Sequence, residues 1–287
     1  MKKNRSPFLI PLFVVLAITA ILAITLAVLE ISDGKTEASE STEPTETEPN
    51  KPEIQVPAAV FKSNLEEYEN YMNANDEKYL LLVNKTHPLS ASFKPESLIP
   101  VKDTNKEVLL EATAAAALEA MFIEMRREGF TNVFVTSAYR DYEYQNRTFN
   151  GWVNYEAQRI SEDAYKVLGA DYIKKAYTSN GKTKLSLEDA ERVAESYSAR
   201  AGTSEHQTGL CVDLMTTSMS ALDESFANQA VYPWLLENAW KFGFILRFPA
   251  DKTEITGYSF EPWHYRFVGR NAAYLITAQG LCLEEFR

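Results

Sequence analysis

The chain has 287 residues, 45% of them hydrophobic, and a net charge of −11, a composition with no basic face of the kind a nucleic-acid partner requires. Its two cysteines are too few for a disulfide framework, although composition alone leaves a single Cys211–Cys282 bridge open.

Lys2, Lys3 and Arg5 precede an uncharged, largely apolar stretch from Ser6 to Leu29, after which acidic residues dominate. That length spans a bilayer, and the basic flank places the N-terminus in the cytoplasm. The spacing predicts an uncleaved transmembrane anchor over residues 1–31; a cleaved signal peptide is the alternative, but the apolar run is longer than a usual signal-peptide core and shows no small-x-small cleavage site at its end, and no Cys follows directly to accept a lipid. Residues 32–60 are rich in Glu, Thr, Ser and Pro, as in Ser41-Thr42-Glu43-Pro44, with little apolar surface to bury. They read as a disordered tether, and residues 61–287 as one folded, extracytoplasmic domain large enough for its own core.

Within the domain the patterning predicts a helix over 64–73, a short strand over 79–83 and a long helix from Glu107 to Glu128, closed by Gly129. A strand follows over 132–136, with Arg140 just beyond its end. Helices are predicted over 142–168 and 186–199, the second capped by Ser186. The stretch 151–184 is longer and more charged than a simple link, and reads as a helical insertion. A helix starting at Pro233 and ending near Gly243, a strand over 244–247 and a last helix over 271–284 complete an α+β pattern.

Chemistry concentrates in two short runs, Ser204-Glu205-His206-Gln207-Thr208-Gly209-Leu210-Cys211-Val212-Asp213 and Glu261-Pro262-Trp263-His264. They hold two of only three histidines, each with acidic residues close by. Together they offer two imidazoles, a ligating carboxylate and a spare one, which is what a hydrolytic zinc site needs. Thr208-Gly209 breaks any helix, so His206 belongs on a loop leading into a buried strand that carries Asp213; a buried carboxylate there needs a partner, and a cation would supply it. Pro262 biases Glu261 toward extended backbone, which puts Glu261 and His264 on a loop or strand. His87, before Pro88 in a separate segment, is expected outside this cluster.

The first run resembles the S-x-H-x-x-G-x-A-x-D motif, and the second the E-x-W-H motif, of the VanY-type zinc D,D-carboxypeptidases and peptidoglycan peptidases. The similarity reaches upstream to Ser137-Ala138-Tyr139-Arg140-Asp141-Tyr142-Glu143-Tyr144-Gln145 and Val83-Asn84-Lys85-Thr86-His87-Pro88-Leu89. The resemblance implies a small antiparallel sheet with flanking helices and a zinc cleft. It further implies that His206, Asp213 and His264 bind Zn²⁺, that Glu261 is the catalytic base and that Arg140 stabilises the oxyanion. Ser204 and Gln145 would hold the substrate's C-terminal end, and Ser137, Tyr139 and Trp263 would add to the substrate-binding surface. Tyr142 and Tyr144 are further candidates for the cleft wall, with core packing the alternative for every ring. Two positions depart from the pattern: Cys211 stands where Ala is common, and Phe267 where an aromatic hydroxyl is common.

The expectation is a membrane-anchored zinc peptidase that trims the C-terminal D-alanine from peptidoglycan stem peptides. L,D-carboxypeptidase or endopeptidase action on the same polymer is the alternative within the enzyme class, and a non-catalytic wall-binding ectodomain the alternative outside it.

Overall fold

The computed structural model describes residues 54–104 and 106–286, so the anchor at 1–31 and most of the 32–60 tether lie outside the described residues. Among the described residues no helix is long and apolar enough to cross a membrane. Residues 54–60 have no regular structure and are largely exposed.

The α+β expectation holds. Strands β1 (Leu98–Pro100) and β2 (Leu109–Glu111) form an antiparallel pair. Strands β3 (Val133–Ser137), β4 (Cys211–Thr216), β5 (Phe244–Leu246) and β6 (His264–Phe267) form an antiparallel sheet in the order β3-β4-β6-β5. Alternation along β4 sends Val212 and Leu214 into the main core and turns Cys211 and Asp213 to the opposite face. The helix Ala112–Arg127 shares that core through Ala114, Ala117, Leu118, Met121, Phe122 and Met125. Each large apolar side chain so buried contributes about 1.5–3 kcal/mol.

Four predicted elements are corrected. The long helix begins at Ala112 rather than Glu107, because Leu109–Glu111 pair with Leu98–Pro100 and Glu111 serves as the N-cap, its carboxylate accepting from the Thr113 and Ala114 amides. The 142–168 helix is two, Tyr142–Glu156 and Glu162–Leu168: Ser161 takes an extended backbone, accepts from Ala164 N and donates to Glu156, which starts a new helix. The last helix breaks into Arg270–Ala278 and Leu283–Phe286 around Gly280, whose φ of +63° is left-handed. The predicted 79–83 strand is a 3-10 turn, Glu77–Leu80, followed by extended chain. Its Tyr79 and Leu81 carbonyls accept from Arg266 Nη2 at 3.0 and 2.8 Å, so a guanidinium takes the place of a neighbouring strand.

The 151–184 stretch is helical as expected, with helices Glu162–Leu168 and Ala170–Ala176 packed beside Leu187–Ala194, which Ser186 caps. Phe149, Ile173, Leu185 and Val193 belong to an apolar cluster of its own, separate from the main core.

Candidate metal centre

Strand register assembles the centre. Asp213 in β4 lies opposite His264 in β6, and on its other side opposite Ser137 in β3. His206 comes from the turn Glu205–Thr208, which enters β4 through Gly209 at φ +66°. A Cβ at Gly209 would sit 3.0 Å from Leu98 Cδ2 and 3.3 Å from Glu111 N, and the Gly209 carbonyl accepts from that amide at 2.8 Å. Glycine is needed there for both the backbone angle and the close approach of the β1-β2 pair.

The two carboxylate oxygens of Asp213 each face one imidazole: Oδ1 is 2.9 Å from His264 Nδ1 and Oδ2 is 3.3 Å from His206 Nε2. The far ring nitrogens are held as well. His206 Nδ1 lies 2.6 Å from the Ala138 carbonyl, and His264 Nε2 lies 2.9 Å from Glu205 Oε1. Both partners are acceptors, so His206 is left with Nε2 and His264 with Nδ1 free to ligate. Two imidazole nitrogens and a carboxylate thus converge with their outer hydrogen bonds in place, a set that fits tetrahedral zinc with one position open. Burial disfavours charge on Asp213, yet the facing His206 and His264 hold its carboxyl well below the usual range.

Glu261 stands beside this set, its Oε2 3.6 Å from His264 Nδ1 and its side chain 14% exposed. Burial pushes its pKa up to about 7, against the pull of His264. It sits on the loop before β6, where its amide donates to Phe248 O and its carbonyl accepts from His264 N. Arg140 Nη2 is 4.0 Å from Asp213 Oδ2, and the Arg140 amide donates to the His206 carbonyl at 3.2 Å. Its Nε is buried with no hydrogen-bond partner among the described residues.

Cys211 is fully buried on the same strand face as Asp213. Its sulfur, one nitrogen of His206 and one of His264 all lie within 4.8 Å of one another, an overlapping donor set. Asp213 is the better third ligand, because both its oxygens already face the free nitrogens, and adding a thiolate would close the position that water needs. Cys211 and Cys282 are both free and buried.

Of the other expected residues, Gln145 is buried, with Nε2 donating to Ala199 O at 2.6 Å and Oε1 without a partner among the described residues. Ser204 is buried immediately before the His206 turn, and Tyr139 is anchored by its amide to Leu109 O. Trp263 packs partly against the main core while its carbonyl accepts from Leu214 N. Tyr144 is 47% exposed. Phe267 is core, edge-on to Tyr79 and close to Phe244. His87 is exposed and bonded to Asn84, apart from the cluster. Sequence reasoning gave no role to Glu205, Arg247, Arg266 or Glu284, which form a buried ion network behind His264. The available signal was an arginine inside each apolar run, Ile245-Leu246-Arg247-Phe248 and Tyr265-Arg266-Phe267-Val268.

Residues 107–270 match the family model described as VanY, D-alanyl-D-alanine carboxypeptidase. The chain belongs to this family. A D-alanyl-D-alanine carboxypeptidase of Enterococcus faecalis is 39% identical over 207 residues, covering 72% of the chain and 65% of the relative, so the chain spans just under two thirds of that protein's length. The putative carboxypeptidase YodJ of Bacillus subtilis is 32% identical over 219 residues, covering 74% and 68% respectively. Among solved structures, a Glu-to-Ala mutant of the vancomycin-resistance D,D-pentapeptidase VanY from a VanB-type cassette, in complex with Zn(II), is 36% identical with a TM-score of 0.54, covering 73% of the chain and 99% of that structure. The LdcB LD-carboxypeptidase is 30% identical with a TM-score of 0.56, covering 76% and 94%. Zinc is the metal on which the donor set and the Zn(II) complex of that VanY mutant agree.

Proposed function

We propose that the protein is a zinc D,D-carboxypeptidase that removes the C-terminal D-alanine from peptidoglycan stem peptides, working outside the membrane on a tether (32–60) anchored by a helix within 1–31. The observation that carries this reading is the convergence of His206 Nε2 and His264 Nδ1 on the two oxygens of Asp213, with the Glu261 carboxylate 3.6 Å from His264 Nδ1.

In this reading His206, Asp213 and His264 hold the metal. When bound, zinc supplies Lewis-acid polarisation of the scissile carbonyl and lowers the pKa of water toward about 7. Glu261 takes the proton of the attacking water and hands it to the departing amine; its nearly buried setting keeps it poised for both tasks. Arg140 is held to His206 through the backbone, and its guanidinium faces developing negative charge. Ser204 and Gln145 line the approach to the substrate carboxylate, with Ser137, Tyr139 and Trp263 around it.

Synthetic tri-, tetra- and pentapeptide stems, each with a free and an amidated C-terminus, test the proposal by mass spectrometry. Pentapeptide ending in D-alanyl-D-alanine should lose one residue, and the amidated form should be a poor substrate. Equal cleavage of both would overturn the carboxypeptidase reading in favour of an endopeptidase. The likeness to the LdcB LD-carboxypeptidase supports a second reading, trimming of tetrapeptide stems, which the same panel separates. Anchoring predicts that the full chain stays with membranes through an alkaline carbonate wash, and its release would refute the anchor.

A further inference from the structure

Behind His264, on the side away from Asp213, three charged side chains are sealed from solvent and a fourth, Glu284, is largely buried. Glu205 is 2% exposed, and Arg247 and Arg266 are 0% exposed. Glu205 divides its two oxygens: Oε2 accepts from Arg247 Nε at 2.8 Å and from Arg266 Nη1 at 2.9 Å, and Oε1 lies 2.9 Å from His264 Nε2. Arg247 spends its other nitrogens on Glu284, at 2.8 and 2.7 Å, and Glu284 also accepts from Asn84 Nδ2. Arg266 completes its set on the Tyr79, Leu81 and Phe267 carbonyls.

Glu205 gives only Oε2 to the two guanidiniums. The guanidiniums fix that oxygen, and the geometry leaves the second one aimed at the imidazole. Resting on the reading of His264 as a zinc ligand, we propose that Glu205 is the positioning residue for His264: it keeps the proton on Nε2 and so presents the Nδ1 lone pair to the metal. The turn that carries His206 therefore also orients the second histidine, and Glu205 is ordered in its place by Arg247 and Arg266. A carboxylate is required for this. In Glu205→Gln the two guanidiniums still demand an acceptor, so the amide oxygen must face them and the amide N–H₂ must face His264 Nε2. That nitrogen then has to accept, the proton moves to Nδ1, and the metal-facing lone pair is lost.

The test is zinc affinity by chelator competition together with long-range ¹H–¹⁵N spectra of the three histidines. Zinc-loaded wild-type protein should carry its His264 proton on Nε2 and its His206 proton on Nδ1. Glu205→Gln should bind zinc about 10- to 100-fold more weakly, the range for losing a partner of a ligating histidine. Because that variant unbalances two buried cations, Glu205→Gln with Arg266→Met, which removes one charge of each sign, is measured beside it and should show the same loss. Wild-type affinity in whichever of these folds, or a His264 proton on Nδ1 in the zinc-loaded wild type, overturns the proposal; if neither variant folds, the wild-type spectrum decides alone. His264→Ala separates the ligand assignment from the role of Glu205. If it keeps a full equivalent of zinc, the ligand assignment itself has failed. If it loses zinc while the Glu205 variants do not, only the role of Glu205 has.

Discussion

Glu261 stands nearly buried beside two imidazoles and a carboxylate, and burial raises its pKa to about 7. A group placed there accepts a proton readily near neutrality, and a bound dication lowers that basicity without supplying an alternative acceptor. Glu261→Gln should keep zinc and fold while losing about 10²-fold or more in turnover; metal analysis alongside rates checks it, and near-normal turnover would send the search to another base. If, as proposed, Asp213 rather than sulfur completes the ligand set, Cys211→Ala should retain a full equivalent of zinc, and the cobalt-substituted wild-type protein should lack the intense near-ultraviolet thiolate band. A thiolate band that disappears in Cys211→Ala would reverse that ranking. His206, Asp213, Glu261 and His264 were legible from sequence because each run packs its donors within ten positions. Glu205 was not, since its partners Arg247 and Arg266 lie 42 and 61 positions away and only the fold makes all three buried.

The turn and the strand it feeds show how much of the centre is backbone work. Gly209→Ala would place a Cβ against Leu98 and Glu111 in a left-handed conformation costing about 1–2 kcal/mol before any clash. The expected outcome is a folded protein with weakened zinc binding, read by thermal melts and chelator competition; unchanged values for both would mean that the turn does not set His206. Short apolar runs and Gly243 made β3, β4 and β5 readable, while Pro262 alone does not separate loop from strand at β6; the Ser186 cap shows in its acidic first turn. The errors came where a local signal competed with a distant partner. Glu107–Glu111 has helical composition but is drawn into pairing with Leu98–Pro100, and Tyr79–Val83 looks like a strand but meets a guanidinium instead.

At the scale of the molecule, three apolar clusters divide the work: one carries the sheet and metal centre, a second holds the helices from Phe149 to Ala194, and a third seats the last helices through Ile245, Ala273 and Ile276. Asp189 stitches the second, accepting from the Tyr172 and Tyr177 hydroxyls and from Arg192. Burial opposes its charge, but these donors hold its pKa below the ordinary 3.8, so its contribution is complete above that value and is lost as pH falls through the lower, folded-state pKa. Asp189→Ala should cost about 1–3 kcal/mol, with faster hydrogen exchange confined to these helices and with zinc content preserved. Exchange rising equally across β3 to β6 would show that the clusters open as one.

Asp213 and His264 sit on facing rungs of a hydrogen-bonded ladder, so the span between two donors is set by main-chain pairing and needs no ion to create it. The polypeptide therefore acts as a stiff claw of fixed bite. Stripping it with a chelator should leave an intact, cooperatively melting protein, in contrast to small domains that collapse without their ion. The same stiffness makes the vacant claw discriminating: small ions content with few, closely spaced donors fit, and large ions that prefer six to eight oxygens do not.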